Sequence, residues 1–168
     1  RAHVIENAIP PKLESKRPTR KNFAFYSRQL ALKNNAAFRR AFIKAKNIYP
    51  DIELEEGMVS KDDLMKRMQE CYAVVLPSIS DVTPNYIIDA IRCGKPFLLT
   101  KYSGYAERFK EFGVIVDPFS EEDMTRGVME LAEDKSYEMY KKRISEFSEV
   151  RTYDDIAKEF VALIEEIR

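Results

Sequence analysis

Short apolar runs alternate along this chain with longer stretches in which apolar residues recur three and four positions apart. The runs are Phe23–Tyr26 (FAFY), Ala73–Leu76 (AVVL), Phe97–Leu99 (FLL) and Val114–Val116 (VIV), with Ile52–Glu55 alternating apolar and polar before Gly57. Three or four β-branched, aromatic or aliphatic residues in a row suit a strand buried on both faces. Ala37, Phe38, Ala41, Phe42 and Ala45 mark one helical face within Asn34–Tyr49, stopped by Pro50. Leu64, Met65, Met68 and Tyr72 mark a second, and Tyr86, Ile87, Ala90 and Ile91 a third that Pro84 opens and Gly94 and Pro96 close. Ser60 and Ser120 each stand three residues before an aspartate, the arrangement of a capping box. A short helix is expected over about 106–112, and a helix with Met124, Val128, Leu131 and Ala132 inward after Ser120. The stretch from Tyr137 to Arg168 reads as helical almost throughout, with a fresh cap at Thr152 and a packed face of Ile156, Phe160, Leu163, Ile164 and Ile167.

Strands alternating with helices are βαβ units. The expected fold is therefore α/β, a Rossmann-like three-layer sandwich around a parallel sheet. Residues 3–9 (HVIENAI) read as a strand or sheet edge before Pro10-Pro11, and 12–22 as a polar surface loop. That divides the chain into a leading segment and loop over 1–22, a Rossmann-like domain over 23–150, and a C-terminal helix over 151–168 packed on it.

Composition narrows the function. The 168 residues, 45% hydrophobic, suffice for one domain with a real core. With 28 basic and 28 acidic residues, charge gives no reason to expect nucleic acid. Cys71 and Cys93 lack metal-ligand spacing and read as reduced thiols, which suggests the cytoplasm. A single histidine, His3, leaves little for a zinc site or an internal triad. No apolar run approaches the ~20 residues of a membrane span, and no signal peptide is visible. The Arg1 start suggests a fragment of something longer.

In open parallel sheets ligands bind beyond the carboxyl ends of the strands, where helix N-termini point. Residues falling there are Ser27 and Arg28, Met58 to Ser60, Pro77 to Asn85, Lys101 to Glu107, and Asp117. Arg28 can grip phosphate oxygens as a bidentate fork, and Lys33 adds a mobile point charge. Asp81 and Asp89 can accept hydrogen bonds from vicinal hydroxyls. Each residue alone would pass for a surface charge, a turn residue or a cap. Together they suit a ligand carrying phosphates and hydroxyls. A receiver-type signalling domain fits poorly, because a cation rather than clustered acids follows the first strand. A dinucleotide oxidoreductase fits worse, since no G-x-G-x-x-G follows any strand.

The same residues carry a family resemblance from about Val4 to Leu131. PSISDVTPNYIIDAIRCGKP is similar to the PSxxE…E helix and CGKP-type turn of retaining GT-B glycosyltransferases of family 4, "group 1". Ser27-Arg28 with Lys33 resembles that family's GR…K element. HVIENAI resembles its "vIpNGi" segment, and FGVIVDPFSEEDM its "GllvdP.d.e.l" segment. Both family glutamates, with seven residues between them, are aspartates here, Asp81 and Asp89. Its E-G-F-G loop reads Asp81-Val82-Thr83-Pro84, the glycine before the arginine is Ser27, and one βα unit is missing.

The resemblance implies the C-terminal, nucleotide-sugar-binding half of a GT-B fold. Arg28 and Lys33 would hold the diphosphate and neutralise the leaving group, and Asp81 would hold the donor sugar with the loop that carries Ser78, Thr83, Pro84 and Asn85. Asp89 would take the ribose hydroxyls, and Met58, Val59 and Ser60 would meet the base. It implies retention of anomeric configuration, no metal and no cofactor other than the nucleoside-diphosphate sugar itself. An N-terminal domain in cis, a glycan or glycolipid acceptor, and a cytoplasmic site at the inner face of a membrane would complete the setting. A degenerate, non-catalytic sugar-nucleotide-binding module is the alternative.

Overall fold

Five strands hydrogen-bond into one all-parallel sheet in the order β2-β1-β3-β4-β5, in a computed structural model that describes residues 3–28 and 30–167. They are β1 (Lys21–Tyr26), β2 (Ile52–Gly57), β3 (Ala73–Leu76), β4 (Phe97–Thr100) and β5 (Val114–Val116). The crossovers are α1 (Asn35–Lys46), α2 (Lys61–Glu70), α3 (Asn85–Arg92) and α4 (Ala106–Phe109), followed by α5 (Glu121–Ala132), α6 (Asp134–Glu146) and α7 (Tyr153–Ile167). The expected α/β class, the parallel sheet and the five strands are all present.

Successive strand side chains point to opposite faces, so two cores form. Phe23, Phe25, Val75 and Leu98 go to one side, with Phe38 and Phe42 of α1 and Val128 and Leu131 of α5. Ala24, Val74, Leu76 and Leu99 go to the other, with Met68 of α2, Ile87 and Ile91 of α3, and Phe109 of α4. The first core is knit by edge-on aromatic pairs, Phe23 on Phe42 and Phe25 on Phe38, each with centroids 5.4 Å apart. Such pairs add about 0.5–1.5 kcal/mol beyond their buried area.

The capping boxes form as read: the Ser60 and Ser120 hydroxyls accept from the backbone N–H of Asp63 and Asp123, both at 3.1 Å. Gly94 closes α3 at φ +66, in the left-handed region that favours glycine.

Three expectations need correction. Residues 3–9 make no strand; Ile9 alone exchanges two backbone bonds with Arg151, in an antiparallel bridge. Pro10 and Pro11 follow, and without N–H groups they cannot extend that ladder. The helix expected to reach 112 ends at Phe109 and continues only as a turn. The C-terminal stretch breaks into α6 and α7 across 147–152, and among the described residues α7 adds no side chain to either core. Its capping box forms, with Thr152 Oγ1 accepting from the Asp155 N–H at 3.1 Å. Yet Ile156 and Leu163 are only half-buried and Phe160 and Ile164 are exposed, because the chain leaves α6 in an extended segment tied back at Arg151. The Ile167 side chain lies outside the described residues.

Candidate functional site

The strand order reverses between β1 and β3, the switch point where doubly wound sheets hold ligands. Only Phe23↔Ala73 and Ala24↔Val74 pair across them, so beyond Ala24 the two strands splay toward their carboxyl ends. Tyr86 of α3 closes the gap. Its hydroxyl donates to the Ala24 carbonyl at 3.1 Å and accepts from the Tyr26 N–H at 3.2 Å, satisfying backbone groups that the ladder has abandoned. Burial pushes this phenol up, so it stays neutral.

Above it lies a cavity of about 360 Å³, lined by Tyr26, Ser27, Arg28, Lys33, Leu76, Asp81, Thr83, Pro84, Asn85 and Tyr86. Lys33 ends a 3-10 turn (Ala31–Lys33), and Asn34 behind it takes a left-handed backbone at φ 60. The Asn34 amide donates to the carbonyls of Pro118 at 2.8 Å and Pro77 at 3.3 Å, and the Ile79 N–H donates to the Leu32 carbonyl at 2.9 Å. This clip fixes the lysine against the loop after β3. There Lys33 Nζ pairs with Asp81 Oδ2 at 2.9 Å, both side chains about a fifth exposed. Asp81 is held in turn by its carbonyl, which accepts from the Gly104 N–H at 3.1 Å. A Cβ at Gly104 would stand 2.3 Å from the Val82 carbonyl oxygen, so the close approach of these loops requires glycine.

Arg28 lies at the cavity mouth, exposed and with no ion-pair partner among the described residues. Two cations therefore face one carboxylate, which leaves the crevice an excess positive charge. A second cavity of about 170 Å³ shares Tyr26, Ser27 and Arg28 and continues along Gly57, Met58, Val59 and Leu64. Tyr26 separates the two. Its hydroxyl bonds Glu55 Oε2 at 2.5 Å and the Arg67 guanidinium lies 5.6 Å from its ring centroid. Burial, then that carboxylate, push the Tyr26 phenol up to about 12.

The structure thus gathers Arg28, Lys33, Asp81, Thr83, Pro84 and Asn85 round one cavity, and Met58 and Val59 round its neighbour. It does not bring in the remaining candidates. Ser60 is spent as the cap of α2. Ser78 is fully buried beneath the loop, its hydroxyl without a hydrogen-bond partner. Asp89 sits on the side of α3 that faces residues 11–13, paired to Arg92 at 2.7 Å, and Arg92 bonds the Pro11 carbonyl. Lys101 and Asp117 pair with each other at 2.7 Å and line neither cavity. Tyr26, Leu76 and Tyr86 are wall residues that the sequence pattern did not mark, because an aromatic or apolar residue on an apolar face reads as core. Among the described residues no group of three histidine, cysteine or acidic side chains could hold a metal ion, and no helix is long and apolar enough to cross a membrane.

A doubly wound parallel sheet with a cationic crevice at its switch point defines a Rossmann-like α/β domain. Residues 43–148 match the sequence model of the glycosyl transferases group 1, and the chain belongs to that family. Solved structures share the fold. The pneumococcal O-GlcNAc transferase GtfA, in complex with UDP and GlcNAc, superposes with a TM-score of 0.73 at 14% identity over 95% of this chain and 38% of its own. A glycosyltransferase from Rickettsia africae gives 0.67 at 12% identity over 90% and 48%, and Anabaena HepE with UDP and glucose gives 0.65 at 14% over 88% and 48%. The chain thus spans half or less of each of these proteins. No curated protein matched in a sequence search.

Proposed function

We propose that this chain is the donor-binding, C-terminal domain of a retaining, metal-independent glycosyltransferase and takes a nucleoside-diphosphate sugar into the β1/β3 crevice. The observation that carries the reading is the grouping of Arg28, Lys33 and Asp81 round one cavity at the switch point. The Arg28 guanidinium, free at the mouth, would fork onto the diphosphate, and Lys33 would add a second positive charge as the phosphate leaves. Asp81, with Thr83 and Asn85 beside it, would accept hydrogen bonds from the donor sugar. The apolar cavity at Met58 and Val59 would meet the base. Asp89 would reach ribose hydroxyls only by leaving Arg92. Family membership and the UDP complexes of GtfA and HepE support the reading. An acceptor glycan or glycolipid and a second domain in cis belong to the same proposal, as does association with the cytoplasmic face of a membrane.

Calorimetry with UDP-, GDP- and ADP-sugars tests it. One of the three is expected to bind, and Arg28→Ala and Lys33→Ala each to weaken it by about 1.5–3 kcal/mol, the worth of a charged hydrogen bond. Binding indifferent to both substitutions, or no binding by any donor, would sink the proposal. A specific observation favours the second reading, a binding module without turnover: Asp81 is already neutralised by Lys33, on a loop whose family glycines are Val82 and Pro84. Donor binding without transfer by the full-length protein would establish that reading. For the isolated chain, weak donor binding and no transfer are expected either way.

A further inference from the structure

Two large hollows lie at the other end of the sheet from the crevice. Two adjoining cavities, about 640 and 510 Å³, open between residues 15–21 and α6 and share Arg17, Tyr137, Glu138 and Lys141. Lys95, from the turn between α3 and β4, forms the inner wall of the smaller one and is 1% exposed. Its ammonium has three donors and, among the described residues, one acceptor, the Lys16 carbonyl at 2.8 Å.

A buried cation needs a counter-charge, and among the described residues Lys95 has no ion-pair partner. Glu70 is paired with Lys16 at 2.8 Å, and Glu138 lies 3.6 Å from Lys141. The nearby thiols cannot serve, because burial pushes Cys71 up to about 12 and Cys93 up to about 11 and keeps both neutral. Burial accordingly holds the Lys95 ammonium below its ordinary range. Arg17, exposed on the wall of both cavities, also has no ion-pair partner among the described residues. Two unmatched cations, one on the inner wall and one at the mouth, face the same space.

We propose that this cavity binds a phosphate-class oxyanion between the Lys95 ammonium and the Arg17 guanidinium. The anion supplies the charge that the fold withholds, and the Ser15 hydroxyl, on the same wall beside Gly94, offers a further donor. The site is independent of the sugar-nucleotide crevice at the opposite strand ends.

Inorganic phosphate titrated into the 168-residue chain, with chloride holding ionic strength constant, tests the site by calorimetry and by Tm. Phosphate is expected to raise the Tm of the wild type and of Lys33→Ala equally. Arg17→Glu should weaken phosphate by about tenfold or more, since it replaces a charged bond by repulsion, and Lys95→Met should abolish the effect. A hexose phosphate titrated alongside separates the sources: tighter binding than phosphate assigns the adjoining cavity to a sugar, equal binding assigns the site to the free ion. Should Lys95→Met fail to fold, Arg17→Glu, a change at an exposed side chain, decides alone. No phosphate response, a response that survives Arg17→Glu, or one lost in Lys33→Ala, which would move the anion to the crevice, overturns the proposal.

Discussion

The Tyr86 hydroxyl does the work of a missing rung between β1 and β3. It serves one carbonyl and one N–H at the point where those strands part. Removing a bonded group so that buried partners are orphaned costs more than the bond itself contributed, about 1–3 kcal/mol. Tyr86→Phe is therefore expected to lose that much stability in urea unfolding while the aromatic packing persists. An unchanged midpoint would mean that water already serves those groups. Nothing in the sequence marks this role, because the hydroxyl's partners are set by how far two strands splay. Arg28, Lys33 and Asp81 were legible for the opposite reason. Chain order puts each after a strand, and the fold sends every strand's carboxyl end to one rim. Asp89 shows the limit of spacing: seven intervening residues place a carboxylate on α3, but not which side of that helix faces the cavity. Arg92, three residues on and on the same helix face, takes it as a partner.

Helices can be tested where two effects oppose each other. Gly127 lies inside α5, and alanine there would gain about 1 kcal/mol of helix propensity. Its Cβ, however, would stand 2.6 Å from Val116 Cγ1 and 2.9 Å from Leu98 Cδ1, where β4 and β5 meet the helix. Overpacking of a filled core costs about 1–3 kcal/mol, so Gly127→Ala should destabilise in denaturant titration despite the better helix former. α7 supplies the contrast. Phe160 is 56% exposed, whereas Ile144 of α6 is fully buried. Phe160→Ser should change stability by no more than about 0.5 kcal/mol, and Ile144→Ala should cost about 2–5 kcal/mol. A large loss from Phe160→Ser would show that α7 is covered in solution. The amphipathic pattern of α7 was plain in the sequence, and so was its cap. Periodicity reports that a face is apolar, and is silent on whether the same domain covers it.

For the whole molecule, the alternation of strands and helices disclosed the class but not the strand order. The β2-β1-β3 arrangement, and with it the site of the crevice, follows from crossovers that leave no local mark. The core that this sheet organises is rich in phenols and thiols, and that fixes how stability responds to alkali. Tyr26 is held up to about 12, Cys71 to about 12 and Cys93 to about 11, from ordinary values of 10.0 and 9.0, while burial also raises Tyr72, Tyr86, Tyr137 and Tyr140. Above about pH 9 the unfolded chain releases these protons and the folded one keeps them, so stability falls with rising pH. Each such group contributes a slope of up to about 1.4 kcal/mol per pH unit. Lys95 opposes the trend, since its folded ammonium deprotonates before the unfolded one, but the seven phenols and thiols outweigh it, and the paired Lys16, Lys21, Lys44, Lys101 and Lys110, all raised, act with them. On the acid side, Glu70, Asp117, Glu121 and Asp155 are held below their ordinary values by lysines, arginines or backbone N–H groups, and their contribution is lost as pH falls below about 4. These carboxylates lie at the surface, so salt screens them and the acid limb should be shallow and salt-dependent. Urea midpoints measured from about pH 7 to pH 10.5 should be level at first and then drop steeply above about 9, with little response to salt. A midpoint that stays level to the alkaline end would show that the phenols and thiols reach water in the folded state.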